Sequence, residues 1–303
     1  MNAGPLMDPK TPMSIGSGIP GLGIEVARVP EAVRRRVEAW RRDGQTVALV
    51  PTMGALHEGH RTLVRAARAG ADRVVVSIFV NPRQFAPSED LAIYPRTENE
   101  DLAALTEERA DLAWMPAPDV VYPAGFETTV RSGGLGQPME GAHRPGFFDG
   151  VATVVAKLFA LVRPHRAYFG EKDYQQLLVV SRMARDLDLG VEVVPVATVR
   201  EADGLALSSR NVHLSAADRA VAPALHRTIS RMAARLADGA SEPSAEIAWG
   251  RERLLEAGFG AVDYLEVRDP RTLEPIDRAG VAARVLAAAR LGAVRLIDNV
   301  PVG

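Results

Sequence analysis

From residue 24 onward, short runs of apolar residues alternate with segments whose apolar positions recur every three or four residues. The first pattern predicts buried strands and the second amphipathic helices. In chain order it gives a helix over 31–42, a strand over 47–50 stopped by Pro51, a helix after residue 60 and a strand over 74–80. An acidic helical segment at 101–108, a short strand at 112–115 and, after a Gly/Pro-rich loop at 132–146, a helix over 151–162 follow. A strand over 167–169, a helix over 174–187 and a strand over 191–199 complete this half. Strands separated by helices imply a parallel, doubly wound α/β sheet, because each parallel crossover must travel back along one face. Such sheets bind ligands beyond the carboxyl ends of their strands.

The pattern then changes. Helices predicted over 216–237 and 245–257 precede strands of period two at 262–267, 284–288 and 294–297, which fits a smaller α+β domain. Ser215 with Asp218 resembles a capping box for the first of these helices. The expected boundary lies near Thr198, dividing the chain into 24–197 and 198–303. Residues 1–23 are rich in Met, Pro, Gly and Ser without periodicity or an apolar core, and read as a disordered leader rather than a signal peptide. Gly16, Gly18 and Gly21 there match the GxGxxG spacing, but no strand precedes them, so the dinucleotide reading lacks its context.

Composition narrows the partners. The chain has 303 residues, 47% of them hydrophobic, enough for two domains on a prior of roughly 100–200 residues each. A net charge of -2 supplies no global attraction to nucleic acid or an anionic membrane, and no run approaches a membrane span. The expected partners are small molecules. The absence of cysteine excludes disulfides, thiolate catalysis and thiolate metal ligation, and agrees with a cytoplasmic location. The lysines are Lys10, Lys157 and Lys172 alone, against an otherwise all-arginine cationic set. A lysine kept in such a chain points to a place for a compact, rotatable ammonium. Lys172 is the candidate, since Lys10 lies in the leader and Lys157 on an amphipathic helix where it can snorkel.

Four segments just beyond predicted strands, or beyond the boundary, carry polar chemistry: PTMGALHEGH at 51–60, NPRQF at 81–85, FGEKDYQQ at 169–176 and DGLALSSRN at 203–211. In the first, Gly54 permits a tight turn. His57 and His60, three apart, share one side of a helix opening near Glu58, whose unpaired N–H groups suit a phosphate. The plainer alternative is a polar cap on a surface helix. Ser208, Ser209 and Arg210 offer hydroxyls and a guanidinium suited to a departing pyrophosphate, or else form an ordinary Ser-rich turn. Lys172 can add positive charge at the same phosphates, while Asp173 can accept from a hydroxyl or help hold a metal; the plainer alternative is a surface ion pair of little worth. Gln84 and Gln176 are two-way hydrogen-bonders suited to an uncharged hydroxyl or amide, or else ordinary surface glutamines.

The order and separations of these segments resemble those of pantothenate synthetases, the pantoate–beta-alanine ligases, over about 24–300. Connecting stretches such as VVVSIFVNPRQFAPSEDLAIYPRT and KLFALVRPHRAYFGEKDYQQL and the closing RLIDN at 295–299 carry the resemblance further. It implies a Rossmann-like nucleotidyltransferase domain, a smaller domain closing over ATP, and a cytoplasmic homodimer making pantothenate, a coenzyme A precursor. By resemblance, ATP meets Met53, Gly54, Ala55, Leu56, His57, Glu58, Gly59 and His60, with His60 as proton donor. It also meets Gly170, Glu171, Lys172, Asp173, Val199, Leu207, Ser208, Ser209 and Arg210. Gln84 is implied to bind pantoate and beta-alanine and Gln176 pantoate, with Pro51, Met53, Asn81, Tyr94 and Arg144 as further pocket positions. His57, His60, Lys172, Ser208, Ser209 and Arg210 would share the catalytic work. Magnesium is expected to ride mainly on the ATP phosphates rather than on protein ligands.

The chain departs from the family at Phe147, where the usual RPGHF has histidine. A phenyl ring cannot order Arg144 through a ring nitrogen, so weakened binding of beta-alanine or pantoate is expected rather than lost adenylation. Two other classes remain on the residues alone. One is a nucleotidyltransferase moving AMP or CMP onto a phosphorylated acceptor, which needs more cationic contacts, whereas the neutral Gln84 and Gln176 suit an uncharged polyol acid better. The other is a non-catalytic nucleotide-binding module, which would bind ATP without turnover.

Overall fold

The computed structural model describes residues 23–85 and 94–303. Lys10 and the GxGxxG glycines of the leader lie outside them. The first strands are β1 (Glu25–Ala27), β2 (Val47–Thr52), β3 (Arg73–Ile78), β4 (Leu112–Trp114), β5 (Arg166–Gly170) and β6 (Glu192–Val196). They form one sheet in the order β1-β4-β3-β2-β5-β6, with every pairing parallel. The helices of this half are α1 (Pro30–Arg42), α2 (Glu58–Gly70), α3 (Glu98–Glu107), α4 (Pro118–Val121), α5 (Glu140–His143), α6 (Phe147–Val162) and α7 (Tyr174–Asp186).

Alternation along β2 explains why its strand reads as one apolar run. Val47 and Leu49 enter the core built with Val33, Val37, Val155 and Val180 of α1, α6 and α7. Ala48 and Val50 enter the opposite core with Leu63, Val64, Leu102 and Leu105 of α2 and α3. A strand with both faces covered has no polar face to show. This confirms the doubly wound α/β class.

Pro51 does not stop β2 as expected. The strand continues to Thr52, with Pro51 opposite Ser77 and Thr52 opposite Ile78 of β3. His165 N donates to Val47 O toward β5, whereas Phe79 N donates to Thr52 O toward β3. By alternation, the position of Pro51 that lacks an N–H faces β5, where the pairing ends at Leu49. The proline therefore helps part β2 from β5 at their carboxyl ends. Chain order reverses between the same two strands, and a crevice opens there.

Beyond β6 come α8 (Ala216–Val221), α9 (Ala224–Ala237), α10 (Pro243–Glu256) and the antiparallel sheet β7 (Ala261–Arg268), β8 (Ala283–Leu291), β9 (Val294–Val302). The single helix expected over 216–237 is divided at Pro223, whose ring has no N–H and crowds the preceding turn. Ser215 does cap α8, accepting from Asp218 N at 3.1 Å. The strand expected over 191–199 ends at Val196, while β8 and β9 run further than expected because they pair from Leu291–Val294 back to Ala283–Val302. One face of the small sheet packs with α9 around Leu225, Ile229 and Met232. From its other face, Tyr264, Leu286 and Ala288 join the core that contains α6 and α7. The two sheets are thus fastened by shared apolar burial, and the crevice lies where they meet.

Candidate active site

A cleft of about 330 Å³ opens beyond the carboxyl ends of β2 and β5. Its lining includes Pro51, Met53, His57, Gly59, His60, Asn81, Gln84, Tyr94, Arg144, Gly170, Lys172, Asp173 and Gln176 from the large sheet's side. Val199, Leu207, Ser208, Ser209 and Arg210 line it from beyond β6. Among the expected ATP contacts, Gly54, Ala55, Leu56, Glu58 and Glu171 stand behind the wall rather than in it. Glu58 is turned to Arg65.

The turn from β2 into α2 is held from outside. Gly54 has φ +86° and Ala55 φ +51°, a left-handed pair that an alanine adopts at a cost. Asp101 of α3, 2% exposed, accepts from Ala55 N at 3.0 Å and Leu56 N at 2.7 Å. Burial pushes the Asp101 carboxyl pKa up despite these bonds. Sequence reasoning missed this residue, because nothing in the acidic run of Glu98, Glu100 and Asp101 distinguishes the carboxylate that turns inward.

His57 is the N-cap of α2, and its Nδ1 accepts from Gly59 N at 3.1 Å. His60 Nδ1 accepts from His57 N at 3.3 Å, so the two side chains close a reciprocal capping box. Their rings lie 4.1 Å apart. An Nδ1 that accepts carries no proton, so both imidazoles hold theirs on Nε2. Burial lowers the pKa of His57 to about 4, with Lys172 adding to the effect and Asp173 opposing it. Burial, then His57 and Lys172, lowers that of His60 to about 3. At neutral pH both are uncharged Nε2–H donors.

Lys172 sits in the turn Glu171–Asp173 between β5 and α7, with Nζ 3.8 Å from Asp173 Oδ2. Leu207 N donates to Val199 O at 3.0 Å, pairing the arms of a hairpin that delivers Ser208 to the cleft. Ser208 caps the next short turn, its Oγ accepting from Arg210 N at 3.3 Å. Tyr94 is hydrogen-bonded to Ser209, and burial raises the pKa of its phenol.

The two glutamines differ from their neighbours in what they have left to offer. Gln175 is buried and spends its amide on Leu135 O and Pro138 O, both at 2.8 Å, and on Glu140 N at 3.2 Å. Gln176 lines the cleft, and its side-chain amide has no hydrogen-bond partner among the described residues. Gln84 is held by Asn81 Nδ2 at 3.0 Å and donates to Met53 Sδ at 2.9 Å. Asn81 also donates to Gly150 O and accepts from Tyr122 Oη and Arg83 N, so all four of its hydrogen-bonding positions are filled within the protein. That geometry makes Asn81 the support of Gln84. Arg144 donates to Gln84 O at 3.1 Å, and its guanidinium lies 3.8 Å from the centroid of the Phe147 ring. Phe147 has no nitrogen to offer Arg144, but it orders the guanidinium through its face. Lys157 takes no part: its Nζ lies 4.5 Å from the Phe126 ring centroid, outside the cleft.

The family model of pantoate-beta-alanine ligase matches residues 25–301. The chain belongs to the pantoate–beta-alanine ligase family. Membership makes it an enzyme that condenses pantoate with beta-alanine. It is 55% identical over 277 residues to the pantothenate synthetase of Cereibacter sphaeroides, covering 91% of this chain and 99% of that one. With the pantothenate synthetase of Bradyrhizobium sp. it shares 57% over 280 residues, covering 91% and 98%. The crystal structure of the Thermus thermophilus pantothenate synthetase superposes with a TM-score of 0.85 at 47% identity, covering 91% and 98%. The Francisella tularensis ligase, solved in complex with beta-gamma ATP and beta-alanine, gives 0.77 at 30% identity, covering 91% and 96%.

Residues outside the expected set also shape the cleft. Asp298 and Asn299 lie in the closing RLIDN stretch, which carried the resemblance without any assigned role. Glu140 is buried beneath Arg144 and is gripped by Arg295 at 2.6 Å and by the Tyr264 hydroxyl at 2.9 Å. The i,i+4 pairing with Arg144 is local, but nothing local marks the grip of Tyr264 and Arg295, because those two partners are over a hundred positions away.

Proposed function

We propose that this cleft activates pantoate with ATP and then transfers the pantoyl group to beta-alanine. A carboxylate oxygen of pantoate attacks the α-phosphorus of ATP, the bond to the β-phosphate oxygen breaks, and pantoyl adenylate and pyrophosphate result. The neutral amine of beta-alanine then attacks the acyl carbon, AMP leaves with the bonding pair, and the amine loses a proton. The observation that carries this reading is the pair of Nε2–H donors at the start of α2, sharing one cleft with Lys172, Ser208, Ser209 and Arg210. Phosphoryl chemistry of this kind needs positioning and charge neutralisation more than covalent help from the protein.

In the free enzyme His60 is a neutral hydrogen-bond donor. Phosphate charge beside it raises its pKa, so it would gain acid character only as ATP binds. Gln176 suits the pantoate hydroxyls, Gln84 either acid, and Arg144 a carboxylate. Magnesium fits a site built largely by ATP. Of the cleft carboxylates, Glu140 and Asp298 are paired to arginines, which leaves Asp173 to meet an ion arriving on the phosphates. Bound there, magnesium supplies further neutralisation of phosphate charge.

The reading places residues 24–197 as the nucleotide- and pantoate-binding domain and 198–303 as the part that closes over it, in a cytoplasmic homodimer. Among the described residues no helix is long and apolar enough to cross a membrane. The test is pantoate-dependent exchange of labelled pyrophosphate into ATP without beta-alanine, then release of AMP when beta-alanine is added. Loss of both with folded protein and Mg²⁺ overturns the reading; transfer of AMP to a phosphorylated acceptor instead would put the chain with the other nucleotidyltransferases.

A further inference from the structure

Asp298 and Asn299 are adjacent on β9, and each is committed to one wall of the cleft. Asp298, 4% exposed, takes both ends of the Arg200 guanidinium at 2.6 and 2.9 Å. Arg200 also donates to Gly204 O at 3.1 Å and pairs with Ala206 across the hairpin whose returning arm becomes Leu207 and Ser208. Asn299, 5% exposed, points its amide at the other wall: Nδ2 donates to Glu171 O at 2.9 Å and to Lys172 O at 3.0 Å. Its Oδ1 accepts from Arg284, whose guanidinium covers the Tyr174 ring at 3.7 Å from the centroid. Asp298 Oδ1 further accepts from the backbone N of Asn299 at 2.7 Å, which holds the Asp298 carboxylate to the strand at Asn299.

We infer that the Asp298–Asn299 pair is a positioning element for adenylation, setting the separation between Lys172 on one wall and Ser208, Ser209 and Arg210 on the other. Neither residue is suited to hold phosphate, since one is a carboxylate and the amide of the other is fully spent. What they supply is reference to a single rigid strand. Two N–H groups on successive carbonyls fix the direction of the turn that carries Lys172, and a two-pronged carboxylate–guanidinium pair fixes the hairpin that carries the serines. A cleft closed by two loops thereby takes its width from β9. The inference rests on the ligase reading for placing Lys172 at the phosphates.

Asn299→Asp keeps the shape and the acceptor toward Arg284 but removes both donors to the turn. It is expected to lower kcat/KM for ATP in pyrophosphate exchange by about 10- to 100-fold, the scale of a displacement of roughly 1 Å at a reacting centre. The KM for pantoate should stay within about twofold of the parent value, because uniform binding of the acid is untouched. The decisive measurement is a cycle on the calorimetric Kd for ATP, without pantoate, across parent, Asn299→Asp, Lys172→Ala and the double variant. If Asn299 acts through Lys172, its substitution costs less than about twofold once Lys172 is gone. A full, additive loss in the Lys172→Ala background overturns the inference, as does unchanged exchange in Asn299→Asp. Should Asn299→Asp fail to fold, the uncharged Asn299→Ser takes its place in the same cycle, where the same two results support or overturn the inference. Failure of the ligase reading would appear in the parent enzyme as absent exchange, while the ATP cycle still judges the brace.

Discussion

Replacing Asp101 by asparagine separates the shaping of the Gly54–Leu56 loop from the stability of the fold. The carboxylate accepts from Ala55 N and Leu56 N at 3.0 and 2.7 Å, and it does so behind the cleft wall, away from substrate. In Asp101→Asn one oxygen remains, but an NH2 faces the second backbone N–H, so one bond to a charged acceptor worth roughly 1.5–3 kcal/mol is lost. The loop it held is strained, with Ala55 at φ +51° in a region that costs an L residue about 1–2 kcal/mol. Global stability should respond less than the loop. Because burial raises the Asp101 pKa, the ionised form is a cost to folding that appears as pH rises through the folded value and is present in full at neutral pH. A neutral amide removes that cost while it removes the bond, and the net change in unfolding free energy should be about 1 kcal/mol or less. The loop has no such offset. If ATP binds only the strained form, its apparent Kd scales inversely with that form's population, and a rise of about tenfold corresponds to ~1.4 kcal/mol. Calorimetric titration with a non-hydrolysable ATP analogue, beside urea denaturation, reads both quantities. An ATP Kd within about twofold of the parent would refute the reasoning, as would a stability loss of several kcal/mol, since either reverses the assigned balance.

Other expectations follow from the same geometry. His57 and His60 have folded pKa values of about 4 and about 3, below the ordinary 6.5, so their stabilising effect is full above pH 6.5 and is lost as pH falls toward 4. Urea denaturation between those pH values should show that loss, and the double variant His57→Gln/His60→Gln should show a shallower one; an identical slope would mean that other groups carry it. Phe147→Ala should raise KM for pantoate or beta-alanine about 5- to 30-fold, the worth of a partly buried cation–π contact of about 1–2 kcal/mol, with adenylation retained. Phe147→His should shift those constants in the opposite direction if the family's imidazole binds better; constants unchanged in both variants would remove Phe147 from substrate binding. Gly150→Ala would put a Cβ 2.2 Å from Arg83 O, forcing the turn that bears Gln84 off α6. Pantoate KM should rise by about tenfold or more while ATP affinity holds, and equal losses of both would show a general collapse instead.

What could be read from the sequence was whatever depends on local order. A strand buried on both faces is a run of apolar residues whichever helices cover it, so β2, β3 and their crossovers were legible in Val47–Thr52 and its neighbours. His57, His60, Lys172 and the Ser208–Arg210 segment were legible because each follows a chain reversal and carries unusual chemistry for its surroundings. Illegible were roles conferred by distant partners. Asp101 looks like its acidic neighbours until α3 is laid against the Gly54–Leu56 loop, and Gln175 and Gln176 are equivalent until one is buried. Pro51 has the same cause: proline ends a strand unless its missing N–H faces a gap, and the gap belongs to β5.

The protonation state of the histidines was also beyond local reading, and it changes how the site must work. A pair of imidazoles at a helix N-terminus suggests positive charge, yet backbone amides occupy both Nδ1 atoms and burial keeps both rings neutral. Under the proposed reading, with Arg144 set toward a substrate carboxylate and Arg295 held by Glu140, the cleft cations for the ATP phosphates are Lys172 and Arg210, which come from opposite sides of the cleft. In that reading the two share a triphosphate whose charge shifts from the α- to the β-phosphate oxygens as pyrophosphate departs. Coulomb energy falls with distance, so the rate becomes sensitive to how far apart the two walls are held. Charge that could have been fixed locally on the histidines is instead assembled across the crevice, and for that reason a buried asparagine on β9, remote in sequence from Lys172, carries weight in the reaction.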